Sequence, residues 1–291
     1  MGVASKEEMQ LKIMAEGITQ IYNTMDCKVM NVGANDLALG AEFFSHIQSM
    51  AKFPMISANI ISSKTGQPAF EPYYVMETPD LKIGLVGVTL PNPNAESDYS
   101  FNDPLISAQS AIDAIKPDVD VVVVLASLED RQIPNFISGL KDADFVVSSR
   151  AYRTSSQPKT ESNGVTLIQN GTRGKYAGIL HVKRTDKVGT IRNLSPEKNK
   201  LSFTYDRIEA MAKPVPQGMT TEEYYQGDGA KTQLLATLTA QKNQRETLFD
   251  ETKNYFWFIP VALSDDVVDD PDILLMVNEL KAAAETAAKG N

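Results

Sequence analysis

The sequence predicts a mixed α/β (α+β) fold, with helices outside a sheet core. Three observations predict it. Strand-length apolar runs alternate with segments of helical period through roughly the first half of the chain. The run Val119–Leu125 is β-branched on nearly every residue, the pattern of a strand buried on both faces. Hydrophobic residues make up 42% of the 291-residue chain and charged residues 22%, which leaves ample material for a core.

Each element has its own signal. Met14, Ile18, Ile21, Tyr22 and Met25 recur at helical spacing, so a helix is expected from Lys6 to about Met25. Lys28–Val32 reads as a short strand and Gly33–Asp36 as a turn. A second helix is expected over Ala41–Ala51, and a buried strand over Pro54–Asn59. Residues 62–80, rich in Gly, Pro and Ser, read as an excursion with an edge strand at Tyr73–Met76. Lys82–Val88 is an apolar strand; no GxGxxG follows, so its glycines point to close packing. Asp103-Pro104 starts a helix to about Ile115, with an N-cap acid before a first-turn proline. After Val119–Leu125 come a helix near Ile133–Leu140 and a strand at Asp144–Val147. Short strands follow at Thr166–Gln169, Gly178–Lys183 and Thr190–Asn193, and this second part reads as antiparallel. Met219–Gly229 reads as a polar loop and Lys231–Phe249 as a helix. Tyr255–Val261 reads as an aromatic strand, packed between the main domain and the last helix. Asp270-Pro271 starts that helix, which runs to about Lys289, with Gly290 as its stop.

Composition removes several function classes. A net charge of −9 disfavours nucleic-acid binding through a basic face. Two histidines, His46 and His181, and one cysteine, Cys27, cannot build a zinc finger, an iron–sulfur cluster, an intramolecular disulfide or a His-rich dinuclear centre. The longest apolar run, Val121–Ala126, is far short of the ~20 residues of a spanning helix. Met1–Lys6 has no signal-peptide apolar region, and Lys6 stands where a myristoylation signal wants Ser or Thr.

The order of segments resembles the calcineurin-like metallophosphoesterases, and more closely their 5′-nucleotidase branch. Met30–Gly40 sits where the family has a Gly-Asn-His-Glu turn, and Phe53–Asn59 is similar to its strand ending in Ser-Ala-Asn. Lys82–Thr89 is similar to the next strand. Asp120–Asp130 sits at the Leu-Ser-His position, Asp144–Tyr152 at Gly-Gly-His-Ser-His, and Gln169–Gly178 before the closing strands. The likeness covers about residues 15–185, with a weaker echo in Ile259–Lys281. It implies a reduced metallophosphoesterase-like β-sandwich flanked by helices over 1–195, with a C-terminal strand-helix extension over 196–291 packed on the same domain.

Such enzymes hold two divalent metals roughly 3.5–4 Å apart to activate hydroxide and clamp phosphate. On this resemblance Ala34 stands for a ligand Asn and Asn35 for the catalytic His. Ser127, Arg150 and Tyr152 stand for three His ligands. The family's Asp-x-His and Gly-Asp-x-x motifs lie upstream of its Asn-His turn; the residues before that turn here read as one helix and one strand, so those motifs are expected to be absent. No metal or other cofactor is expected, since Arg150 stays protonated and cannot ligate a metal. Asp36, Asp144 and Glu129 are the alternative set for a hard ion. Arg150, Arg153 and Lys175, with Tyr152 among them, are the candidate anion-binding set.

Other features have plain readings beside sharper ones. Gly227–Thr232 lacks P-loop spacing and reads as loop and cap. The acidic run Asp265–Asp272 lacks the EF-hand pattern and reads as capping. Tyr255–Phe258 is core or a partner-binding edge. His46, His181 and Cys27 read as structural. Asn170-Gly171-Thr172 and Asn193-Leu194-Ser195 match the glycosylation sequon.

The first expectation is a non-catalytic relative of the 5′-nucleotidase-type enzymes, serving as a binding, scaffold or accessory module. The wording of residues 33–40 is similar to a subgroup linked to multihaem cytochromes, which implies extracytoplasmic placement and cytochrome partners. The alternatives are a divergent phosphohydrolase with a reduced metal site and a metal-free nucleotide or anion-binding module. A sheet edge left open by absent N-terminal strands would pair with a partner or a second copy.

Overall fold

A computed structural model describes residues 6–91, 98–150, 152–155, 157–187 and 189–289. The chain divides into two compact units. One comprises Met1–Ser155, Lys159–Ala177 and Ala262–Asn291; the other comprises Ser156–Pro158 and Gly178–Val261.

The first unit opens with α1 (Lys6–Thr24), β1 (Met30–Asn31), α2 (Gly40–Met50), β2 (Met55–Ile56) and β3 (Ile60–Ser62). Then come β4 (Tyr73–Glu77), β5 (Lys82–Thr89), β6 (Tyr99–Phe101), α3 (Pro104–Ile115), β7 (Val121–Ser127), α4 (Ile133–Gly139), β8 (Phe145–Ser148), β9 (Lys159–Thr160) and β10 (Thr166–Gln169). Among the described residues its main sheet has six strands in the order β4-β5-β7-β8-β10-β9. The four central strands are parallel, and β4 and β9 pair antiparallel at the edges. The mixed α/β fold predicted above is the one found.

Val86, Val88, Val122, Val124, Ala126 and Val146 project from one face of this sheet. They pack against Ala108, Ile112 and Ile115 of α3 and Phe136 and Ile137 of α4. Full burial of each large apolar side chain contributes roughly 1.5–3 kcal/mol. The α3 start is as predicted: Asp103 Oδ1 accepts from the Ile106 N–H at 2.9 Å. A second cluster joins Val32, Leu37, Phe44, Ile47, Phe53, Met55, Ile60 and Phe70. Cys27 is partly buried against it. The parallel pair β1–β2 lies close to β5. A side chain on Gly87 would meet Asn31 Oδ1 at 2.4 Å and the Ile56 carbonyl at 2.8 Å, so glycine is required there.

The second unit holds most of β11 (Tyr176–Arg184), then β12 (Arg192–Asn193), α5 (Ser195–Ala212), α6 (Thr221–Tyr224), α7 (Gly229–Glu251) and β13 (Asn254–Ala262). Its sheet runs β11-β13-β12. The chain then returns to the first unit as α8 (Pro271–Lys289), which packs along α1. Gly17 lets the two helices approach, since a side chain there would meet Leu280 at 2.4 Å.

Four expectations need correction. Strand β10 runs parallel to β8, and β12 parallel to β13; the 17 residues between Ser148 and Thr166 are long enough for a parallel return, with β9 as a small antiparallel arm. Residues 195–212 form a helix for which no element was predicted. The 219–229 loop contains α6, started by a Thr220–Glu223 capping box. The aromatic strand β13 packs with α5 and α7 of its own unit, while α8 packs on α1: Tyr255 meets Phe249 of α7 at 5.3 Å, and Lys198 of α5 lies 5.2 Å from the Trp257 ring. Tyr255, Phe256 and Phe258 are buried, the core reading of that segment. His46 is exposed on α2 and meets Glu16 at 3.0 Å. The expected stop at Gly290, the signals in residues 1–5 and matched residue 151 lie outside the described residues.

Candidate functional site

The register of the main sheet fixes where a site forms. Thr89 at the end of β5 pairs with Ser127 at the end of β7, and Ala126 pairs with Ser148 at the end of β8. Parallel strands therefore end at one level, and Ser149 and Arg150 emerge beside Ser127. In open α/β sheets ligands bind outside these carboxyl ends.

The turn after β1 faces them. Leu37, fully buried, anchors a short 3-10 helix over Ala34–Leu37. Asp36 Oδ2 accepts from the Gly33 N–H at 2.6 Å and closes the turn. A side chain on Gly33 would start 3.2 Å from Asp36 Oδ2 and 3.6 Å from Ser127 Oγ, so glycine lets turn and strand end approach. Between them lies a cleft of about 470 Å³, whose lining includes Asn31, Ala34, Asn35, Asp36, Ser127, Ser149 and Arg150.

Four of the five matched positions thus come together: Ala34, Asn35, Ser127 and Arg150. Ala34 and Ser127 are buried, Ser127 at 8% exposure. Among the described residues the Arg150 guanidinium has no carboxylate partner. Tyr152, the fifth, is 85% exposed; its N–H donates to Asp130 Oδ2 at 3.3 Å, and it does not line the cleft.

Neither alternative set gathers in the cleft. Of the hard-ion set only Asp36 lines the cleft. Asp144 sits at the opposite end of β8, where Oδ2 accepts from the Val122 N–H at 2.9 Å and meets Lys116 at 3.7 Å. Glu129 pairs with Arg131 at 2.7 Å. Of the anion set only Arg150 lines the cleft. The Arg153 carbonyl accepts from the Gly171 N–H, and the Lys175 carbonyl from the Leu263 N–H.

Asp36 is exposed and lines the cleft. Desolvation pushes its pKa up, and the bond from Gly33 opposes that push. Two metals would need several anionic or imidazole donors here. The cleft offers one carboxylate already bonded to backbone, neutral Ser and Asn groups, and a guanidinium. Among the described residues no three His, Cys, Asp or Glu side chains come together. The donor set does not fit a dinuclear metal centre.

The residue-by-residue reading missed Asn31 and Ser149. Asn31 Nδ2 donates to the Val88 carbonyl at 3.0 Å, while its Oδ1 is buried without a partner among the described residues. The available signal was an amide inside the otherwise apolar stretch Met30-Asn31-Val32.

Known proteins share this fold. No family model matches the chain. The 2′,3′-cyclic-nucleotide 2′-phosphodiesterase/3′-nucleotidase of Salmonella typhimurium is 23% identical over 94% of the chain and 46% of its own length. A 5′-nucleotidase of Vibrio parahaemolyticus is 34% identical over 29% of the chain and 18% of its own length. The calcineurin-like phosphoesterase YfkN from Bacillus subtilis superposes with a TM-score of 0.61 at 12% identity, covering 97% of this chain and 78% of that one. The chain spans under half the length of the Salmonella relative. It is a homologue of 5′-nucleotidase and cyclic-nucleotide phosphodiesterase proteins, with a calcineurin-like phosphoesterase fold.

Proposed function

We propose that this homologue of the nucleotidases is a non-catalytic binding or accessory module. The observation that carries the reading is the cleft itself. It gathers Ala34, Asn35, Ser127 and Arg150 at the carboxyl ends of the strands, where a two-metal hydrolase needs ligands and a proton donor. Neither methyl nor guanidinium ligates a cation, and a fixed positive charge opposes one.

Metal content by mass spectrometry after incubation with Mn²⁺, Zn²⁺ and Fe²⁺, read beside phosphodiester hydrolysis on the same sample, tests this. The expected result is neither stoichiometric metal nor turnover. Near-stoichiometric metal with chelator-sensitive turnover replaces the proposal with a divergent phosphohydrolase.

Arg150, which has no carboxylate partner among the described residues, favours a second, compatible reading: a metal-free anion site, with Ser127 and Ser149 as hydroxyl donors. Inorganic phosphate and mononucleotides at 100 times their Kd then add about 2.7 kcal/mol of stability. Arg150→Ala is expected to remove the thermal shift. An unshifted wild-type protein across the panel ends this reading. Extracytoplasmic placement and protein partners, multihaem cytochromes among them, belong to the same proposal and rest on the wording of residues 33–40. Capture of a c-type cytochrome by the immobilised chain is the expected outcome, checked by haem absorbance.

A further inference from the structure

Strand β11 is at the rim of its sheet: β13 lies on one side, and among the described residues no strand lies on the other. It is nine residues long, against a usual five or six. Natural edges are blunted by proline, by charge or by shortness. The stretch Tyr176–Val182 contains neither proline nor a charged residue. It is exposed from Tyr176 to Ile179, with Ile179 at 49%. A long, uncharged, proline-free edge is a template for another strand.

The charges on β11 select the occupant. We infer that β11 pairs antiparallel with β11 of a second copy of this chain, about a two-fold axis at Leu180. In that register Leu180 faces Leu180, Ile179 faces His181, Gly178 faces Val182, and Ala177 faces Lys183. Arg184 comes opposite the Tyr176 ring, a favourable cation–π arrangement. No like charges stand opposite one another, which a cross-strand pair would penalise. Registers centred nearer Lys183 bring Lys183 and Arg184 of both copies together and are disfavoured. The two three-stranded sheets become one continuous sheet, and each edge backbone gains partners that water otherwise supplies. This inference is independent of the cleft.

Sedimentation of the full chain from about 1 to about 100 μM tests it, because association follows mass action. A concentration-dependent dimer is expected. Ile179→Lys adds a charge at an exposed position and is expected to weaken the dimer at least ~10-fold, with an unchanged circular-dichroism spectrum. A second variant does not depend on that one folding. In a Cys27→Ser background, Leu180→Cys puts two thiols at the axis. Facing residues there have Cα atoms about 4.5–5.5 Å apart, within disulfide reach. Oxidation is expected to give a covalent dimer. A monomer throughout the range overturns the inference. So does a dimer that Ile179→Lys leaves intact and the Leu180→Cys variant fails to cross-link.

Discussion

His181 lies flat on Trp257, with ring centroids 4.8 Å apart and planes 2° from parallel. Burial pushes its pKa down, and Lys198 and Lys183 push it further. A depressed histidine is neutral in the folded state and protonates more readily once unfolded. Its contribution to stability is therefore complete above about pH 6.5 and lost as pH falls through the folded value. Urea unfolding from pH 7.5 down to pH 5 is expected to show wild-type stability dropping more steeply than that of His181→Phe, which keeps the stack. Asn59 is a different case. Fully buried, it accepts from the Thr89 N–H and donates to the Thr89 and Asn102 carbonyls. Asn59→Ala strands those groups and is expected to cost about 3 kcal/mol in a denaturant titration. The cleft was partly legible at this scale. Segment order led to Ala34, Asn35, Ser127 and Arg150, but Asp144 was placed with Asp36 although it opens β8 and Arg150 follows its end. The rule that ligands gather at carboxyl ends of parallel strands separates the two. That Tyr152, Arg153 and Lys175 do not line the cleft leaves no mark in composition.

Elements with a local signal were legible, and elements held by context were not. Asp103-Pro104 predicts α3 because capping is a short-range device, and Asp103→Ala is expected to cost about 1 kcal/mol in thermal unfolding. The buried run of β7 was equally plain. Helix α5 was missed because its apolar residues do not gather on one face: Phe203 and Tyr205 are exposed, and only Ser195, Leu201 and Thr204 are buried. Its Ser195-Pro196-Glu197 start was the signal to use. Helix α7 buries only Leu235 and Leu238 in 23 residues. Amide exchange is expected to be faster in α7 than in β7, because a helix with so little buried apolar surface opens locally at low cost.

At the scale of the molecule, strand direction was the least legible property. Period and composition report that a segment is extended, whereas pairing depends on where distant residues return. Thus β10 reads as antiparallel in the sequence and runs parallel to β8, with only the short β9 antiparallel to it, and the chain leaves the first unit at Ala177 and re-enters it at Ala262. That return makes α8 part of the first unit. Removing residues 264–291 is expected to uncover the face of α1 around Gly17 and Ile21, with a lower Tm and aggregation visible by light scattering.

The clasp of α1 and α8 has a consequence for how this segment can be joined to other protein. Lys6 Nζ donates to the Lys289 carbonyl at 3.1 Å, so the two ends of the described chain stand side by side. A stretch that leaves and returns at one point can be spliced into a surface loop of a host, or closed into a ring by a short linker. A circular permutant joined there and reopened at the exposed Thr65-Gly66 turn between β3 and β4 should fold to the same circular-dichroism spectrum. Topologically, the described fold behaves as a loop with a hasp.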